Sequence, residues 1–291
     1  FSPPPKPSMK LIRHGLPGAE QPGLIDASGT PRDLSGVLAD IAPATLGPDS
    51  MARLAALDPL TLPPVPSGTR LGPCVGEVGN VIGIGLNYAD HAAEAGLKVP
   101  GQPIVFNKHV SAINGPNDEV WLPPGSQKLD WEVELGVVIG QRAFHVGEDQ
   151  ALSYVAGYCL LNDVSERAHQ IEYEGQWVKG KSYPTHCPLG PWLVTPDELG
   201  DPQDVALWLE VNGQRRQNGS TRTMVFGVAT LVSYLSRFMA LQPGDVIATG
   251  TPPGVGMGHQ PPLYLKAGDV MTLGGRGLGE QRQLVVDSPA G

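Results

Sequence analysis

Glycine and proline interrupt this chain so often that long helices have little room, with 38 glycines and 30 prolines among 291 residues. Glycine weakens a helix interior and proline breaks it, so the pattern favours short strands joined by turns. The apolar runs between these breaks are strand-length: "NVIGIGLNY", "PIVFNK", "EVELGVVIG", "GYCLLNDVS", "PWLVT", "VALWLEVNGQ", "DVIATG" and "DVMTLGG". Val211-Asn212-Gly213-Gln214 carries the Asn-Gly hairpin signal. Beyond residue 71 the spacing predicts a helix over 148–157 (EDQALSYVAG), ending at Gly157. It predicts another in "GVATLVSYLSRFMAL", with Val228, Leu231, Val232 and Leu235 on one stripe. Strands and helices do not alternate regularly, so a doubly wound parallel sheet is not expected. The fold class is α+β, predominantly β.

From Met9 to about Leu71 the chain reads as a small β meander, with a turn at Ala27-Ser28-Gly29-Thr30. A short helix follows in "PDSMARLAALDP", with Asp49 as its N-cap, and then a Pro-rich linker at Asp58–Gly68. The expected organisation is a small N-terminal β-rich domain, 9–70, and a larger domain, 71–291. Residues Phe1–Ser8 lack the apolar core of a signal peptide. They are read either as preceding a native start at Met9 or as a natural Pro-rich arm.

Hydrophobic residues make up 41% of the chain, enough for a core, and no apolar run is long enough to cross a bilayer. A net charge of -9 argues against a nucleic-acid partner. An anionic substrate would need a local attractive centre: a metal, Lys or Arg. Cys74, Cys159 and Cys187 show no CxxC spacing and read as reduced core residues of a cytoplasmic protein.

One strand is chemically unusual. "LDWEVELGVVIG" places Glu132 and Glu134 on the same strand face, next to a run that looks buried. Like charges side by side need something positive between them. A divalent cation, with Asp163 at the end of "GYCLLND" as third ligand, satisfies this. A solvated strand face with basic neighbours is the alternative.

"GIGLNYADHAAEAG" puts His91 and Glu94 on one helix face, an arrangement suited to a general base held by a carboxylate, or simply to a surface polar pair. "WVKGKSYPTHCPLGPW" offers Lys179, Lys181 and His186, where a Lys could bind a carboxylate or stabilise an enolate. "ATGTPPGVGMG" follows a strand and could cradle anionic oxygens with backbone N–H groups, although it lacks a P-loop ending. His14, His145 and His259 stand alone, and neither Gly-x-Ser-x-Gly nor a nucleophilic Cys setting is present.

In order along the chain, "GIGLNYADHAAEAG", "PIVFNKHVSAINGPND", "DWEVELGVVIG", "NDVSER", "GKSYPTHCPLGPW", "NGSTRTMVF" and "GDVIATGTPPGVGMG" resemble the fumarylacetoacetate hydrolase family. The resemblance implies a catalytic domain of rolled, mixed β-sheets, a homodimer and a divalent metal, Mg²⁺ or Mn²⁺. By it, Glu132, Glu134 and Asp163 are the metal ligands, His91 and Glu94 a dyad on a short lid helix, and Lys181 the active-site lysine. Arg167, Thr251, Lys108 and Tyr88 fall at substrate-side positions. "VSERAHQ", "FNKHVSA" and "KSYPTHCP" depart from the commoner family patterns around the expected pocket.

The N-terminal region resembles members named ureidoglycolate lyase or hydrolases of 2,4-diketo-3-deoxy sugar acids. The activity this implies is hydrolysis of a small anionic 2,4-dioxo acid to pyruvate and a carboxylic acid. Decarboxylation of an oxaloacetate-type acid, isomerisation of a hydroxydiene-dioate and a ureidoglycolate-type lyase reaction are alternatives on the same site. A metal-stabilised protein without catalysis is a further one.

Overall fold

The computed structural model describes residues 9–90 and 98–289. Its larger sheet has nine strands in the order Pro31–Asp33, Gln21–Ile25, Lys10–His14, Leu193–Val194, Val155–Asn162, Val133–Ile139, Val246–Ala248, Val81–Gly85 and Ile104–Lys108. Every neighbouring pair is antiparallel except Val246–Ala248 with Val81–Gly85. A second sheet orders Gln214–Ser220, Ala206–Val211, Val270–Gly275, Gly279–Asp287 and Val120–Leu122, the last pair parallel. The fold is therefore mixed and mostly β.

Strand Val133–Ile139 lies inside the large sheet and is buried on both faces. Val133, Leu135, Val137 and Ile139 join an apolar cluster with Leu207, Leu209 and Leu273 of the second sheet and with Leu231, Val232 and Leu235. Val138, on the face shared with Glu134 and Gly136, joins a second cluster with Leu11, Leu24, Leu46 and Met51. Two-sided cover explains the unbroken apolar run after Glu134. The first three strands extend this sheet, through Lys10 opposite Val194, so residues 9–70 share a core with the rest of the chain.

The helix over Val228–Leu235 forms as its stripe predicts. At Val211–Gln214, Asn212 (φ 52°) and Gly213 (φ 75°) make the hairpin turn. The helix expected over 148–157 does not form. A 3-10 turn at Ala151–Tyr154 leads straight into strand Val155–Asn162, and Gly157 lies inside it. Pairing with Val133–Ile139 overrides the local helical spacing. A Cβ on Gly157 would lie 2.4 Å from the Val194 carbonyl oxygen, so glycine there serves strand packing rather than a helix cap. In helix Pro48–Ala55 the N-cap is Gly47 rather than Asp49, which sits in the first turn, where the helix dipole favours its charge. Among the described residues no helix is long and apolar enough to cross a membrane.

Candidate metal centre

Three carboxylates meet because two neighbouring strands are in register. Leu161 lies opposite Glu134 and Asn162 opposite Val133, and the Asp163 N–H donates to the Glu132 carbonyl at 2.9 Å. One carboxylate oxygen from each of Glu132, Glu134 and Asp163 lies within 4.8 Å of the others, and all three residues are buried. Oxygen-only donors at this spacing suit a hard divalent cation.

Buried cations surround the group. Lys181 Nζ donates to Glu132 Oε2 at 2.8 Å and to Asp163 Oδ2 at 2.7 Å. Lys108 Nζ donates to Asp163 Oδ1 at 2.5 Å and to the Val164 carbonyl at 3.1 Å. Arg167 Nη2 lies 2.7 Å from Glu132 Oε1. The strand face is therefore not solvated, although its neighbours are basic.

Electrostatics separate the two glutamates. Burial alone would raise Glu132, but Lys181 and then Arg167 outweigh it and hold the carboxyl at about 2. Glu134 goes the other way: burial, then Asp163, then Glu132 push it well above the usual carboxylate range. Against this stand the Lys181 charge and a Gly250 N–H at 2.8 Å. A divalent cation among these oxygens would relieve that conflict, so the donor set fits such an ion.

The remaining candidates occupy different places. Lys108, 1% exposed, is bound to the Asp163 carboxylate, and Arg167 links Glu132 to Asp130 (Nε to Oδ2, 2.9 Å) and Gln170 (Nη1 to Oε1, 2.9 Å). Thr251 spends its hydroxyl proton on the Val133 carbonyl at 2.9 Å and accepts from Gln217 Nε2 at 2.7 Å. Tyr88 is fully buried, and among the described residues its hydroxyl has no hydrogen-bond partner. Burial and then the Glu134 charge push the phenol well above its ordinary value, so it remains a donor at neutral pH. Among the described residues this buried donor is left without an acceptor, so one from elsewhere would be needed to satisfy it.

His91 and Glu94 lie outside the described residues. His186 is buried with Nε2 2.9 Å from the Trp121 carbonyl, and burial lowers it to about 3, so it stays neutral. All three cysteines are free and buried. Burial pushes the Cys187 thiol up to about 12, against any nucleophilic role.

The glycine-rich loop after Val246–Ala248 cradles carboxylates, but those of the protein itself. Gly250, at φ 102°, where glycine is favoured, donates to Glu134. Gly256 and Met257 donate to Asp130 at 2.6 and 2.9 Å. Asp130 also accepts from the Trp131 N–H at 2.8 Å, so one buried carboxylate ties the loop to Arg167 and thence to Glu132. Sequence reasoning passed over Asp130, although it stands two residues before Glu132.

Comparison with known proteins supplies the family. A Burkholderia multivorans protein, whose own name goes no further than a provisional hydrolase assignment, is 63% identical over 277 residues, 95% of this chain and 98% of its own length. The fumarylacetoacetate hydrolase from psychrophilic Exiguobacterium antarcticum is similar in structure, with a TM-score of 0.85 at 36% identity over 96% of this chain and all of its own. Maleylpyruvate hydrolase from Sphingobium sp. SYK-6, solved with manganese(II) and pyruvate, gives a TM-score of 0.81 at 28% identity, covering 97% of this chain and all of its own. Residues 80–286 match the family model described as fumarylacetoacetate (FAA) hydrolase, C-terminal, and the chain belongs to the fumarylacetoacetate hydrolase family.

Proposed function

We propose that this protein is a divalent-metal-dependent hydrolase that cleaves the C3–C4 bond of small 2,4-dioxo acids, giving pyruvate and a carboxylic acid. The observation that carries the reading is the buried trio Glu132, Glu134 and Asp163 with Lys181 bridging two of its members. The similar maleylpyruvate hydrolase, solved with manganese and pyruvate, supports both the ion and the product class. Mg²⁺ or Mn²⁺ bound to the three carboxylates would supply Lewis acidity toward the 1-carboxylate and 2-oxo oxygens of the acid.

The protein's own groups do the rest. His91, which the family resemblance pairs with Glu94, takes a proton from water as the water oxygen bonds to C4. The C3–C4 bond then breaks with its electron pair left on C3, forming the enolate of pyruvate. Lys181, a buried cation, stabilises the negative charge that develops there. The proton taken from water is returned to C3, which completes pyruvate, and the C4 fragment leaves as the carboxylic acid. Tyr88 offers a hydroxyl donor to the bound acid.

Pyruvate release from a panel of acylpyruvates, with and without EDTA, tests this proposal. Release that EDTA abolishes and Mn²⁺ or Mg²⁺ restores is expected. Cleavage of ureidoglycolate with no dioxo acid turned over would replace it with the lyase reading.

A further inference from the structure

Lys181 ends a helix of a single turn, Val178–Lys181, too short to hold its own position. What fixes it can be traced to two glycines. Gly83 and Gly85 lie on strand Val81–Gly85, opposite Phe106 and Ile104 of the edge strand. A Cβ on Gly83 would lie 2.2 Å from the Phe106 ring, and one on Gly85 2.6 Å from the Trp177 ring. Each glycine is therefore a recess filled by an aromatic ring. The two rings touch, with centroids 5.4 Å apart and planes tilted by 56°.

Trp177 is the residue from which the one-turn helix starts, and its carbonyl accepts the Lys181 N–H at 3.1 Å. At the other end, Lys181 Nζ lies 5.0 Å from the Phe106 ring centroid, inside cation–π range. Two of its three donors go to Glu132 and Asp163. The ring differs from those partners in one respect: it is neither titratable nor a metal ligand. Carboxylates that share their charge with a cation hold an ammonium less firmly, whereas the ring holds it as before.

We propose that Phe106 and Trp177, seated on Gly83 and Gly85, are positioning residues that hold the Lys181 ammonium at the carboxylate cluster. For the catalytic consequence this rests on the hydrolase reading above; the placement of Lys181 does not.

The test labels lysines of the whole protein with acetic anhydride and reads each site by mass spectrometry. Lys108, also buried on Asp163, serves as the internal control. In Phe106→Leu and in Trp177→Leu, modification of Lys181 should rise about tenfold or more while Lys108 stays protected. Phe106→Tyr, which keeps the ring, should protect Lys181 as the parental protein does. Turnover of an acylpyruvate should follow, with kcat lowered about 5–30-fold in Phe106→Leu, KM little changed, and kcat restored in Phe106→Tyr. Equal protection of Lys181 in Phe106→Leu, exposure of Lys108 alongside it, or failure of Phe106→Tyr to protect would overturn the proposal. If Lys181 responds as expected while the parental protein cleaves no dioxo acid, the substrate reading fails and the positioning role stands.

Discussion

Replacing Arg167 by Met removes a cation whose side chain is only 4% exposed and keeps most of its volume. The change strands two buried carboxylates, because Arg167 lies 2.9 Å from Asp130 Oδ2 and 2.7 Å from Glu132 Oε1. Breaking a buried pair from one side costs about 3–5 kcal/mol. The lower end applies here. Asp130 keeps its N–H donors from Trp131, Gly256 and Met257, and Glu132 keeps Lys181. At roughly 2–4 °C per kcal/mol, a loss of about 3 kcal/mol lowers the melting temperature by about 6–12 °C.

Circular dichroism melts of chelator-treated protein at neutral pH measure this, and Arg167→Lys should fall between the two because it keeps the charge and loses the fork. The loss should also persist in salt, since buried pairs are weakly screened. A drop under about 3 °C would match an exposed ion pair and refute the structural role given to Arg167.

Tyr88→Phe should separate stability from binding. Deleting a buried hydroxyl that has no partner among the described residues should raise stability by about 1 kcal/mol, because its desolvation is no longer uncompensated, while oxalate binding weakens. A fall in both on thermal melting and calorimetry would mean that the hydroxyl already has a partner. His91→Ala should lower kcat by about 10²–10⁴ and leave metal content, measured by elemental analysis, unchanged. Parental turnover in that variant would move the base elsewhere. Glu132 should add stability above the ordinary carboxylate range, lost as pH falls through about 2, because its pKa is depressed in the folded state. Glu132→Gln should flatten that acid limb in a pH series of chelator-treated melts, and an unchanged limb would contradict the assignment.

The parts of the site legible in the sequence are those fixed by local geometry. Period-two alternation carries Glu132, just before strand Val133–Ile139, and Glu134 to one side, and strand Val155–Asn162 ends just before Asp163. The supports were hidden because their partners are remote in sequence. Lys108 reaches Asp163 from 55 residues away, and Asp130 takes Gly256 from 126 residues away. No periodicity encodes such contacts. The same limit explains segment 148–157, whose helical spacing yields to strand pairing, and Gly83 and Gly85, whose recesses appear only once Phe106 and Trp177 fill them.

The central claim is that Glu132, Glu134 and Asp163 form one divalent-cation site. Calorimetric titration of Mn²⁺ into chelator-stripped protein, in two neutral buffers of different ionisation enthalpy, tests it most directly. One ion per chain should bind. Binding should release protons, because burial and two neighbouring carboxylates hold the Glu134 carboxyl well above its ordinary range until the ion arrives. Glu134→Gln should lose that proton release and weaken binding by about 10²-fold or more, as one of three charged ligands is gone. Absence of saturable Mn²⁺ binding in the parental protein, or equal affinity in Glu134→Gln, would contradict the claim.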